Sequence, residues 1–366
     1  QEALWNSCNP AFGTIGKMLG ADTFTEYYYN FGFGQKTGVD LPDEATGIYY
    51  ANNELKEIDL VISSFGQGHT DTPMQMLTAV AAVANGGKLV TPHVVSKILD
   101  SDGNIVKTMG TEVKRQVISK ETSDMMRDIL EQNAVTGSGK NGYIAGYRIA
   151  GKTGTSEKKA EQAVTGEENY IASYCGFAPA DDPKVVLLVF YDTPKGDNYY
   201  GSAVAAPTFR NIMNDVLPYL GVERKYNDEE LAKLDIKNTP DVTGKALSEA
   251  QNAIQQEGLQ YKVVGSGESV LSQIPEAGKV IPGSGTVVLY TDEESSSQTV
   301  TVPDLLNLTP SQVNQRAQEA GLNVRLSGSD LESAGVISQS QSIEAGSEVS
   351  PGTIIEVGFI TEDNIR

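Results

Sequence analysis

Three short stretches carry residue types able to do chemistry. Lys152-Thr153-Gly154-Thr155 sets a cation beside two hydroxyls with bare backbone between them, a combination that can hold a carboxylate. The triplet alone is weak, because Lys36-Thr37-Gly38 repeats it. That first copy follows Gly32 and Gly34 and runs into Val39-Asp40-Leu41-Pro42, a turn-rich loop. The second ends a strand-like run, Tyr147 to Ala150, and precedes another, Tyr170 to Phe177, so it is the site candidate. Gly146, four residues, then Gly151-Lys152-Thr153 also fits a phosphate-cradling spacing, and Val185 to Tyr191 ending at Asp192 imitates the acidic strand that goes with it. A phosphate loop must open a helix, so that backbone N–H groups face the anion. Here Gly154 follows at once, Thr153, Thr155 and Ser156 are poor helix formers, and residues 137–142 form a loop where a strand is needed, so the nucleotide reading fails. Ser7-Cys8-Asn9 reads by itself as a helix cap or turn. Ser156-Glu157-Lys158-Lys159, directly after the second triplet, reads as an exposed hairpin tip.

The elements that must position these residues are legible as patterns. Three antiparallel strands are expected at Ile144–Thr155, Tyr170–Phe177 and Lys184–Asp192. Ala203 to Leu220 reads as a closing helix with Val204, Phe209, Ile212, Met213, Val216 and Leu217 as its buried stripe. Thr72 to Asn85 reads as a helix opened by Pro73 and ended by Gly86. Asp22 to Phe31, with three consecutive tyrosines, is expected to pack against core or groove. The fold class is therefore α+β: an antiparallel sheet with packed helices, followed by smaller modules.

Composition narrows the functions. The 366 residues carry 28 Lys and Arg against 48 Asp and Glu, a net charge of −20, which leaves few cations to displace counterions, so no nucleic-acid partner is expected. Two cysteines, Cys8 and Cys175, and two histidines, His69 and His93, give no disulfide framework and no basis for a metal site; no cofactor is expected. The longest apolar run, Val185 to Tyr191, is seven residues, against the roughly 20 of a membrane-spanning helix.

From Glu229 onward the chain changes character. That part has 20 acids and 8 bases, and three aromatics, Tyr261, Tyr290 and Phe359. It also repeats: Pro240-Asp241-Val242 matches Pro303-Asp304-Leu305, and Gly258-Leu259 matches Gly321-Leu322, both at an offset of 63. Glu276-Ala277-Gly278 matches Glu344-Ala345-Gly346, and Pro282-Gly283 matches Pro351-Gly352. Each repeat opens with a helical stripe (Ala246, Ala250, Ala253 and Ile254; Val313, Ala317 and Ala320) stopped by Gly258 or Gly321. Strands are expected at 261–264, 286–290, 323–326 and 353–357. These units resemble PASTA domains. The expected organisation is a main domain over 1–222, a linker or short polar helix over 223–237, modules over 238–292 and 299–361, and a flexible acidic linker over 293–298.

Phe31 to Ala45, Ser64-Phe65-Gly66-Gln67-Gly68-His69, Thr72 to Gln75, Ala84-Asn85-Gly86-Gly87, Ala150 to Thr155 and Gly176-Phe177-Ala178-Pro179 occur in the order of a class B penicillin-binding transpeptidase, which residues 1–222 resemble. With the PASTA-like units behind it, the chain is similar to the PASTA-bearing class B enzymes of Gram-positive bacteria. The resemblance implies acyl transfer on peptidoglycan stem peptides through a serine, with β-lactams as covalent inhibitors. It implies that Ser7 relays a proton to the leaving amine and that Asn9 binds the substrate amide and orients a catalytic lysine. It gives Lys152 the positive charge beside Ser7, gives Thr153 and Thr155 the substrate carboxylate, and makes Gly154 the opening for substrate backbone, with the Thr155 N–H as an oxyanion donor. The family's Ser-x-x-Lys nucleophile lies upstream of Ser-x-Asn, and the one such spacing here, at Ser156, lies on the wrong side. The chain is thus expected to be the C-terminal portion of a longer, extracytoplasmic protein, membrane-anchored by a segment it lacks and inactive alone. The competing expectation is a non-catalytic wall-binding or spacer protein whose tail binds muropeptide or proteins of division and elongation.

Overall fold

The computed structural model describes residues 1–50, 55–196, 198–292, 298–328 and 336–361, in two compact units, Gln1–Lys225 and Tyr226–Arg366. The first unit opens with helices α1 (Glu2–Trp5), α2 (Asn9–Leu19), α3 (Ala21–Asn30), α4 (Glu57–Ser63) and α5 (Pro73–Ala84). Thr72 caps α5 reciprocally with Gln75: the Gln75 N–H donates to the Thr72 hydroxyl at 3.1 Å, and the Thr72 N–H to Gln75 Oε1 at 2.8 Å. Strands β1 (Lys88–Thr91) and β4 (Glu112–Gln116) pair with each other, as do β2 (Lys97–Leu99) and β3 (Ile105–Thr108) between them. Helix α6 (Lys120–Thr136) follows, capped by Ser119.

The central sheet is β5 (Ala150–Glu157), β6 (Tyr170–Ala178) and β7 (Val185–Asp192), antiparallel in the order β5-β6-β7, with α7 (Lys159–Thr165) between the first two and α8 (Gly201–Tyr219) after the third. Both of its faces are covered along Val185–Val189, which is why β7 reads as a continuous apolar run rather than an alternating one there; Phe190 and Tyr191 beyond are exposed. Val185, Leu187 and Val189 pack with Tyr174, Phe209, Met213 and Leu217 on the α8 side. Val186 packs with Phe177, Ala150 and Ala84 on the other.

Three expectations need correction. The first strand starts at Ala150, not Ile144: Gly146 and Arg148 have positive φ (81° and 49°), so Ile144, Tyr147 and Ile149 reach the core from a turning segment. Ser156 and Glu157 continue β5, opposite Ile171 and Tyr170, and Lys159 begins α7, so residues 156–159 are not a hairpin tip. Ile212 is exposed, and the α8 stripe is instead completed by Ala205 and Ala206, which let the helix approach the sheet closely.

The second unit begins with α9 (Asp228–Lys233) and β8 (Ile236–Asn238), then contains two modules of like build. The first has α10 (Leu247–Gln256), β9 (Gln260–Val264), β10 (Ser272–Ile274), β11 (Val280–Pro282) and β12 (Thr286–Tyr290); the second has β13 (Val300–Thr301), α11 (Pro310–Glu319), β14 (Asn323–Gly328), β15 (Val336–Gln341), β16 (Glu348–Val349) and β17 (Ile354–Thr361). In each, the last strand pairs in parallel with the strand after the helix and antiparallel with another. Gly258 and Gly321 end the helices at φ 78° and 75°. Ala246 caps α10 from outside and is exposed; Leu247 is the first helical residue. A glutamine, buried in the first repeat and half-buried in the second, pins the start of each: Gln273 accepts from the Val242 N–H and donates to Pro240 O, and Gln341 does the same with Leu305 and Pro303. Of the expected linker at 293–298, residues 293–297 lie outside the described residues.

Candidate active site

Strand β5 is the sheet's edge: β6 pairs with one side of it, and no strand pairs with the other among the described residues. Lys152 and Thr153 thus lie in extended backbone, and no helix opens there to hold a phosphate. Lys152 faces Cys175 across the ladder and Gly154 faces Ser173. A Cβ on Gly154 would sit 2.5 Å from the Ser173 hydroxyl oxygen, so a side chain at 154 would have to displace that hydroxyl.

The Lys152 ammonium donates to the Ser7 hydroxyl, 145 residues away in sequence, to Thr153 O at 2.9 Å and to Thr153 Oγ1 at 3.2 Å. Its three protons therefore meet three neutral oxygens. Burial, with no carboxylate partner among the described residues, pushes its pKa down to about 8. Burial likewise holds the thiol of Cys175 up at about 12, so that neighbour is neutral. Ser7 sits in the turn between α1 and α2 at φ 48°, a strained conformation for a residue with a side chain. Asn9 opens α2, behind Cys8 as cap, and is exposed; no hydrogen bond joins it to Lys152 among the described residues.

The Thr155 hydroxyl accepts from the Gly201 N–H at 3.1 Å, at the start of α8. Gly201 must be bare, since its Cβ would fall 2.2 Å from Ser173 O and 2.3 Å from Gly154 O. Just beyond, Tyr170 and Tyr199 stack at 4.0 Å, and Tyr200 leans on Tyr199 at 4.6 Å. Sequence patterns do not single out this shelf, because 170 and 199 meet only when β6 and the loop before α8 are side by side.

The structure thus gathers Ser7, Lys152 and Thr153 into one hydrogen-bonded set, with Gly154 and Thr155 next along the same edge and Asn9 two residues after Ser7. Sequence reasoning missed three supporting residues. Asn133 in α6 donates to Gly151 O at 2.7 Å, the Ser138 N–H donates to Trp5 O at 2.9 Å, and Trp5 Nε1 donates to Ile129 O at 3.2 Å. An asparagine inside a helical stretch is the one sequence signal for the first, which the structure buries fully.

The other triplet is occupied. Glu44 accepts from the Thr37 N–H at 2.6 Å, from the Thr37 hydroxyl and from the Gly38 N–H at 3.0 Å, while Lys114 caps Thr37 O at 2.6 Å. Gln75 ties the loop ends together through Gln35 O and Thr46 O. Lys36 itself points to solvent.

Comparison with known proteins matches both units of the chain. The penicillin binding protein transpeptidase domain family matches residues 1–214, and the PASTA domain matches residues 237–293 and 300–359. Stage V sporulation protein D of Bacillus subtilis is 38% identical over 305 residues, which cover 81% of this chain and 46% of that protein. Peptidoglycan D,D-transpeptidase FtsI of Escherichia coli is 30% identical over 220 residues, 60% of this chain and 36% of that protein. The chain thus spans less than half the length of these relatives. Penicillin binding protein 3 of Mycobacterium tuberculosis, solved with aztreonam, superposes with a TM-score of 0.54 at 26% identity over 61% of this chain and 52% of that one. The chain belongs to the penicillin-binding protein transpeptidase family and carries two PASTA domains after its transpeptidase domain.

Proposed function

We propose that this chain forms the substrate-holding part of a serine D,D-transpeptidase that cross-links peptidoglycan stem peptides outside the cytoplasm. The observation that supports this reading most directly is the Lys152 ammonium on the Ser7 hydroxyl at a free sheet edge. A serine Oγ attacks the penultimate D-alanyl carbonyl, D-alanine leaves with a proton, and an amine of a neighbouring stem takes the acyl group. Ser7 relays that proton, Lys152 lowers the cost of the transfer and draws in the terminal carboxylate, and the hydroxyls of Thr153 and Thr155 hold it. The substrate backbone pairs with the edge at Gly154, the Thr155 N–H faces the oxyanion, and Asn9 receives the substrate amide.

The nucleophile belongs to a Ser-x-x-Lys outside residues 1–366, together with the second oxyanion donor. Ser156 does not serve: it lies within β5, opposite Ile171, past the Lys152 cluster. Among the described residues no helix is long and apolar enough to cross a membrane, so a membrane anchor would also lie outside these residues. The tail is proposed as a spacer and a surface for cationic partners. Sugar stacking is disfavoured there, since Tyr290 and Phe359 are spent on the module cores.

Fluorescent penicillin tests the assignment. The 366-residue chain alone should remain unlabelled, while a polypeptide extended upstream through a Ser-x-x-Lys should be labelled at that serine. Labelling of the short chain at Ser156 would overturn the reading.

A further inference from the structure

A hydrogen-bond circuit encloses Lys152. The Lys152 ammonium donates to Thr153 Oγ1 at 3.2 Å, Thr153 Oγ1 to Ser138 Oγ at 3.4 Å, and Ser138 Oγ to Asn133 Oδ1 at 3.4 Å. Asn133 Nδ2 then donates to Gly151 O at 2.7 Å, which returns the circuit to the residue before Lys152. Each hydroxyl accepts from one side and donates to the other, so the links polarise in the same sense. The amide can point only one way, because Gly151 O can only accept.

The node is also walled in. Asn133 is fully buried. A Cβ on Gly137 would lie 2.4 Å from Asn133 Oδ1, and one on Gly139 would lie 2.7 Å from Asn133 Nδ2. The same loop reaches the other half of the site, since the Ser138 N–H holds Trp5 O two residues before Ser7 and the Trp5 indole is tied to Ile129 O, one helical turn before Asn133. Both partners of the Ser7–Lys152 contact are therefore hung from one turn of α6 and the loop behind it.

From this arrangement we infer that Asn133, through Ser138, is a positioning residue that sets Lys152 against Ser7 and keeps the lysine out of water. It touches neither substrate nor reacting atoms. Its catalytic consequence rests on the transpeptidase reading above; its effect on Lys152 does not.

The test reads Lys152 directly, by NMR titration of the 366-residue chain carrying 13Cε-labelled lysine, with the Lys152 signal assigned by its loss in Lys152→Arg. Asn133→Ala should raise the Lys152 midpoint by one pH unit or more, toward the ordinary lysine value near 10.4. Ser138→Ala should raise it less, and it carries the test if Asn133→Ala does not fold. Leu89→Ala, a buried truncation in a separate core cluster, should leave the midpoint in place. In a polypeptide extended to include the nucleophile, Asn133→Ala should slow β-lactam acylation 10- to 100-fold in the chemical step rather than in binding. No acylation of the unmutated extended protein would sink the transpeptidase reading, while the titration still decides the clamp. A Lys152 midpoint unmoved by Asn133→Ala and Ser138→Ala, or moved equally by Leu89→Ala, would overturn it.

Discussion

The same three residues, lysine, threonine and glycine, occur twice in the first unit and end in opposite conditions. At 36–38 a carboxylate of the protein's own, from Glu44, already fills the donors of Thr37 and Gly38, and the lysine is in solvent. At 152–154 the residues form a strand edge that, among the described residues, has no pairing strand and no carboxylate within reach, and burial pushes the pKa of the partly buried lysine down to about 8. The first copy shows what such a triplet does with a carboxylate when the fold supplies one. Under the proposed function, the second would meet a carboxylate that the substrate brings. Residue type does not separate them; the difference lies in what meets the donors, a carboxylate of the protein at the first copy and neutral oxygens at the second.

The largest effect should come from breaking that asymmetry at the lysine. In the extended, acylation-competent protein, Lys152→Ala should slow β-lactam acylation by about 10²–10⁴-fold, the usual range for a positioned proton-transfer group. Lys36→Ala should leave the rate within about twofold, since that side chain is solvated. Stopped-flow or gel-based acylation rates decide it, and equal losses in the two variants would mean that the triplets are not functionally distinct.

The next effect is on stability. Burial alone would raise the pKa of Glu44, but the Thr37 and Gly38 donors and the nearby Lys114 outweigh it and hold it below the usual carboxylate value. A carboxyl depressed on folding adds stability that is present above its unfolded pKa, near 4.3, and is lost as the pH falls through its folded value. Glu44→Ala should destabilise the first unit by roughly 2 kcal/mol at neutral pH, because it strands the buried Thr37 donors. It should also flatten the acid limb of stability below about pH 4. Urea denaturation of the variant and the parent at pH 7 and pH 3 measures both. A variant whose deficit is the same at both pH values would show that the Glu44 charge contributes nothing.

How much of this was legible in the sequence depends on whether the information is local. The strand character of 152–155, the α8 stripe at Phe209, Met213 and Leu217, and the doubled Pro-Asp units are local patterns, and each appears in the structure. The segment 144–149 misleads because Ile144, Tyr147 and Ile149 are strand-favouring residue types, while Gly146 and Arg148 turn the chain at positive φ. Ile212 misleads because a hydrophobic residue at the margin of a stripe can stay in solvent when alanines bring the helix close to the sheet. Ser7 and Lys152 could be paired only through a family resemblance, and the Asn133–Gly151 and Trp5–Ile129 bonds, 18 and 124 residues apart, leave no periodic trace at all. Those bonds become visible only once α6 lies against the edge strand.

The smallest effect separates the two glycines. Gly38 has φ 80°, where a side chain is strained, and a Cβ there would meet nothing closer than Lys114 Nζ at 3.5 Å and Thr91 Cγ2 at 3.6 Å. Gly38→Ala should therefore cost only backbone strain, about 1 kcal/mol, or roughly 2–4 °C in the melting temperature of a unit this size. The Glu44 contacts need not break for the methyl to fit, so acylation in the extended protein should not change. Gly154 has the opposite problem: its backbone is ordinary, and the obstacle is the Ser173 hydroxyl. A Gly38→Ala variant that kept its melting temperature but lost acylation would place the first triplet in the catalytic cleft and erase the contrast drawn between the two copies.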